Sequence, residues 1–249
     1  MNKNIVIELS TSQQDWELVR ECYVQSFRRY PLYKYMVPDD NKRDAFLRAY
    51  LNANYEVTVA NGNGILLVLK ILEEELDNMA VEGGILFVFP SDDGHGWAIT
   101  DDEPYWEAYE KYGLAKISPD GLERVKRYEA WENENICKKL TVNRIPMWNG
   151  LFCAISPKHA SKGLGSTLWK DGMKILKEYF IKRAVSRQLN KATNTSAKHK
   201  GFCTKLSKEL VSNHMHYSTL LNHRKTPDLS AIQDLNGSLQ KESLKNDQK

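Results

Sequence analysis

Residues 155–166 read Ile155-Ser156-Pro157-Lys158-His159-Ala160-Ser161-Lys162-Gly163-Leu164-Gly165-Ser166, a run that gathers the residue types able to hold a phosphate. An apolar strand pattern over residues 148–155 precedes it, and helical periodicity over residues 162–180 follows it. A helix start leaves backbone N–H groups without partners and carries a partial positive charge, so an anion is held there. Gly163 and Gly165 place no side chain between that backbone and a ligand. Lys158 and Lys162 add charge, and Ser166 offers a hydroxyl. A Walker loop is excluded, because no Gly-Lys-Ser/Thr follows at the required spacing. A dinucleotide fingerprint is excluded as well, since Leu168 stands where its third glycine belongs. The alternative is local: two glycines that tighten a strand-to-helix turn.

Other chemistries find less support. Cys22, Cys137, Cys153 and Cys203 are far apart, without a C-x-x-C pair or a zinc-finger histidine, so reduced thiols are expected rather than disulfides or a structural metal. Charge is uneven: residues 71–110 are rich in acids and hold no Lys or Arg, while residues 182–225 are basic with Glu209 as their single acid. Such separation suits an anionic ligand at one place and a cationic one at another, or two solvated faces. The basic stretch carries no nucleic-acid-binding motif, so nucleic acid is not the expected partner.

The elements that must position these residues are legible in outline. A first strand begins at the N-terminus, without the apolar run of a secretory signal, and the expected location is the cytoplasm. No run reaches the length of a membrane span. Ser12 and Asp15 form a capping-box pattern, followed by a helical stripe of Trp16, Val19, Tyr23 and Phe27. Pro31 and Pro38 mark a loop, and residues 41–54 read as a second helix. Residues 56–60 and 65–69 read as a hairpin across Asn61-Gly62-Asn63-Gly64. Residues 84–90 are another extended run, and which of these runs form the central strands is left open. Helices are expected over residues 104–112 and, from the Ser118-Pro119 start, to about residue 139. Residues 192–195 are expected to end a strand and residues 200–209 to form a short helix.

The order strand, Pro157, basic loop, Gly163-x-Gly165 and helix resembles the GNAT superfamily of acyl-CoA-dependent N-acetyltransferases. Their central motif runs Val-x-Pro-x-x-Arg/Gln-x-x-Gly-x-Gly/Ala between a strand and a helix. The preceding element order is similar across residues 5–220, with specific likeness over 150–180. The resemblance implies an α/β (α+β) fold: one GNAT-like domain over 1–225, with a mixed central sheet flanked by helices and an inserted helical segment; the polar composition over 226–249, with Asn236-Gly237 interrupting its few apolar residues, is expected to give a flexible tail. It implies acetyl-CoA as co-substrate, with no metal. Its pantetheine would pair with backbone groups of Cys153, Ala154 and Ile155 on a splayed strand, and its pyrophosphate would sit on Ser161, Lys162, Gly163, Leu164, Gly165 and Ser166. The implied reaction is direct attack of a primary amine, of a small molecule or peptide, on the thioester. Two positions depart from the pattern. Ala160 stands at the Arg/Gln position, and Cys203 stands where the family's closing motif places the tyrosine that protonates the leaving thiolate. Cys203 is therefore the candidate catalytic residue. With these departures a degenerate acyl-CoA-binding sensor or interaction module is the alternative. No membrane partner is expected, and a homodimer is left open. Acids over residues 92–107 and Glu129, Glu132 and Glu134 are the candidate attractors of a cationic acceptor, with no general base singled out.

Overall fold

The computed structural model describes residues 5–73, 78–91, 96–97, 102–141 and 147–193. The chain divides into two units, Met1–His216 and Tyr217–Lys249, and every described residue belongs to the first. Strand β1 (Ile5–Ser10) leads into helices α1 (Gln13–Phe27), α2 (Pro31–Met36) and α3 (Asp40–Tyr55). A π-helical turn, Glu56–Ala60, extends α3 before β2 (Gly64–Glu73) and β3 (Asn78–Val88). A helical stretch follows: α4 (Glu103–Lys111), α5 (Leu114–Ile117), α6 (Pro119–Glu132), a π-helical turn (Asn133–Cys137) and α7 (Lys138–Thr141). Then come β4 (Asn149–Ile155), a 3-10 turn (Pro157–His159) and α8 (Leu164–Thr193).

The four strands lie in chain order, β1-β2-β3-β4, and each neighbouring pair is antiparallel. The class is α/β, as expected, but the sheet is antiparallel throughout the described residues rather than mixed. Strand alternation sends Leu66, Val68, Leu86, Phe152 and Ala154 to one face, where α1 and α3 cover them with Trp16, Val19, Tyr23, Phe46 and Leu51. Ile65, Leu67, Leu69, Ile85 and Phe87 point to the other face, against Leu164, Leu168 and Leu176 of α8. Each of these side chains leaves water almost completely, which stabilises the fold by about 1.5–3 kcal/mol per residue.

The caps behave as the sequence predicts, with one change. The Ser12 hydroxyl accepts from Asp15 N–H at 3.3 Å. The Asp15 carboxylate does not return the bond; it accepts from the Ser10 hydroxyl at 2.6 Å and pairs with Lys70. Ser118 caps α6 through Gly121 N–H at 3.1 Å.

The expected 56–60 strand is corrected. That segment continues α3 because its β-branched residues fit the helical side: Val57 and Thr58 are buried, and the Thr58 hydroxyl donates to the Asn54 carbonyl at 2.6 Å. The turn residues Asn61 and Gly62 (φ +75°) end this helix instead of closing a hairpin. The hairpin lies one strand later, between β2 and β3. Residues 31–36 are a helix with Pro31 in its first turn, where a fixed φ favours helix, rather than a loop. Ala192 and Thr193 end α8 and not a strand. Residues 200–209 and 226–249 lie outside the described residues. No helix among those described is long and apolar enough to cross a membrane.

Candidate functional site

β4 and α8 are joined by a tight turn whose backbone is set residue by residue. Pro157 begins the 3-10 turn, in which His159 N–H bonds the Ser156 carbonyl and Ala160 N–H the Pro157 carbonyl. Ser161 then takes φ +63° and Gly163 φ +75°, two left-handed residues that reverse the chain into α8. Gly163 caps the helix: its carbonyl accepts from Thr167 N–H at 3.1 Å and the Thr167 hydroxyl at 3.3 Å. The N–H groups of Gly163, Leu164, Gly165 and Ser166 consequently have no acceptor within the helix. A Cβ at Gly163 would meet no atom within 4 Å, and one at Gly165 only the Ile155 Cγ1, at 4.0 Å. The space over this backbone is open, and the residues present therefore fit a phosphate group at the head of a long helix dipole.

The two lysines have different partners. Lys158 forms an ion pair with Glu82 of β3, whose other carboxylate oxygen lies 3.5 Å from His159 Nε2. The Glu82 side chain is only 5% exposed, against 55% for Lys158. Lys158 thus ties the turn down onto β3, an arrangement continued by Ser156 N–H bonding the Glu82 carbonyl at 2.7 Å. Lys162 Nζ sits 3.3 Å from His159 Nδ1. Glu82 was missed in the sequence, although a charge inside an apolar strand beside Gly83-Gly84 was a usable signal. Gly83 is required there because a Cβ would come within 2.5 Å of the Ala154 carbonyl oxygen.

The strand residues Cys153 and Ile155 pack toward α8, whereas Phe152 and Ala154 face α1. The Ile155 carbonyl already accepts from the Ser26 hydroxyl at 2.8 Å, and the Phe152 carbonyl from the Tyr23 hydroxyl at 3.2 Å. Burial pushes the Cys153 thiol up to about 12, and Cys22 and Cys137 up to about 11, so none of these three is a thiolate at neutral pH. Cys203 lies outside the described residues, as do Asp92, Asp93 and Asp101. Among the described residues no group of His, Cys, Asp or Glu is arranged to hold a metal ion.

On the α1 face a second cluster forms, invisible in sequence because it draws on three helices. Tyr109 of α4 donates to Glu129 Oε1 of α6 at 2.7 Å, and Tyr50 of α3 donates to the same oxygen at 3.3 Å. Tyr50 also packs edge-on against Phe152 of β4, with ring centres 5.9 Å apart. Tyr128 donates to Glu132 at 3.2 Å. Burial raises the Glu129 carboxyl from 4.5 to about 7, opposed by the two hydroxyl donors and aided by Asp102 and Glu132. Burial also raises Glu132. Glu134 instead is exposed and paired with Lys138, which lowers it, and Glu103 and Glu107 are exposed. The chain matches no model of a known protein family and no curated protein.

Proposed function

We propose that the protein is a GNAT-like, acyl-CoA-dependent N-acyltransferase that moves an acetyl group from acetyl-CoA to a primary amine of a small molecule or peptide. The observation that carries this reading is the β4–α8 turn, where two left-handed residues and open-faced glycines lead into four N–H groups that have no acceptor within α8. Gly163, Leu164, Gly165 and Ser166 would hold the pyrophosphate, with Lys162 adjacent, and backbone groups of Cys153, Ala154 and Ile155 would pair with the pantetheine arm. Acetyl-CoA supplies an acyl group already activated as a thioester. The chain's own contribution is to hold the amine near, accept its proton and offer donors to developing negative charge. Lys158 acts on the turn's shape rather than on the phosphate.

Gly165→Val tests the reading. Gly163 is the less informative position, since its φ of +75° would strain any side chain. Gly165 carries no such constraint and has free space around it, so valine folds there but occupies the phosphate's place. Calorimetry is expected to show acetyl-CoA affinity reduced by about tenfold or more, equivalent to roughly 1.4 kcal/mol. Unchanged affinity in a folded Gly165→Val protein would remove the cofactor from this turn.

A further inference from the structure

Resting on the reading of the β4–α8 turn as a phosphate site, we propose that His159 is a positioning residue for Lys162. Neutral, it holds Lys162 against its own ring; protonated beside Glu82, it releases Lys162 to the ligand. The links are in place. Lys162 Nζ lies 3.3 Å from His159 Nδ1, and the Lys162 N–H bonds the His159 carbonyl at 3.4 Å, so both side chains belong to one turn. Lys162 is exposed and directly precedes Gly163, over which the space is open, yet its ammonium rests on the ring. No carboxylate among the described residues pairs with it. On its other side the ring faces Glu82, with Nε2 3.5 Å from the carboxylate. The His159 side chain is 18% exposed and that of Glu82 5%, so this contact is shielded from water while Lys162 is not.

Imidazole is the side chain that changes charge between about pH 5 and 8. A proton on His159 acts in two directions. It turns the contact with Glu82 into a shielded ion pair, which is favourable, and it makes the Lys162 contact one between two cations, which repel. The lysine is the group that leaves. His159 is anchored by its N–H on the Ser156 carbonyl at 2.9 Å, and Lys158 pairs with the other Glu82 oxygen, whereas Lys162 is a flexible chain in water. Freed, its ammonium stands beside the N–H groups at the head of α8, where it adds a charge-assisted bond to a phosphate. The other titratable groups packed on this turn, among the described residues, come from α1. Burial and Glu82 push the Cys22 thiol up to about 11, so it is neutral here, and Glu21 is engaged by Arg20 and Arg48. Ligand binding thus draws one proton from water onto His159, and by linkage affinity rises as pH falls through the ring's titration.

The test uses the full chain and two ligands whose charge is constant over the range. One is dephospho-CoA, which lacks the 3′-phosphate monoester that titrates at about 6; the other is sulfate. For the parent, both should bind about fivefold or more tighter at pH 5.5 than at pH 8. His159→Gln and Lys162→Met should each reduce that ratio to within about twofold of one. A plain field of the imidazolium on the ligand would survive Lys162→Met, so a ratio that persists in either variant overturns the proposal. Without ligand, the His159 midpoint followed by proton NMR should rise in Lys162→Met, because a neighbouring cation disfavours the imidazolium. A midpoint that stays in place overturns the proposal as well. Lys162 is exposed, so this variant keeps the proposal testable should His159→Gln not fold. Sulfate that follows the predicted ratio while dephospho-CoA fails to bind counts against the acyl-CoA reading alone, and no binding of either ligand overturns both.

Discussion

Glu82 shows how a single carboxylate can set the shape of a binding turn. It stands on β3, nearly sealed from water, and holds both Lys158 and His159 of the segment after β4. Removing either end of this pair is not equivalent. In Glu82→Gln the amide keeps the shape and leaves no buried charge, which costs about 1–3 kcal/mol. Lys158→Met leaves a buried carboxylate with one weaker partner and falls toward the larger cost of an unpaired buried charge, about 3–5 kcal/mol. Urea midpoints of the two variants measure the difference. A Lys158 that reaches outward to a phosphate would give the opposite order, with Lys158→Met the milder change in stability.

Helix α6 carries the other unusual carboxylate, Glu129, which accepts from Tyr50 of α3 and Tyr109 of α4. The unfolded carboxyl titrates near 4.5 and the folded one near 7, so between these values the folded chain binds the additional proton. Stability is then greatest at the acid end of the window and falls as pH rises through about 7, by at most roughly 3 kcal/mol. Denaturation of the parent from pH 5 to 8 should show this slope, and Glu129→Gln should flatten it; an equal slope in both assigns the effect to another group. Elements like α6 were legible because their signals are local: Ser118-Pro119 marks its start, and Ser12 marks that of α1. The 56–60 segment was misread for the same reason. Val57, Thr58 and Val59 favour a strand by type, but the burial of Val57 and Thr58 beside α3 is a tertiary fact that overrides that preference.

At the scale of the molecule, α8 packs on one face of the sheet and α1 and α3 on the other, and Tyr50 of α3 joins that second face to the tyrosine–glutamate cluster of α4 and α6. The turn could be read in sequence because its glycines, proline and lysines are contiguous. The cluster could not, since Tyr50, Tyr109 and Glu129 are brought together only by folding, and Glu82 meets Lys158 across a long separation. Glu129 and Glu132 stand in the sequence beside Glu134 as equal candidates; burial raises the first two, and the ion pair with Lys138 lowers the third. The most direct test of the central claim is an amide nitrogen-15 NMR titration of the full chain with acetyl-CoA. Saturable shifts at the N–H groups of Gly163, Leu164, Gly165 and Ser166 are predicted, as expected for donors that gain a phosphate acceptor. Saturable binding that leaves these four amides unmoved, or no binding at all, would contradict it.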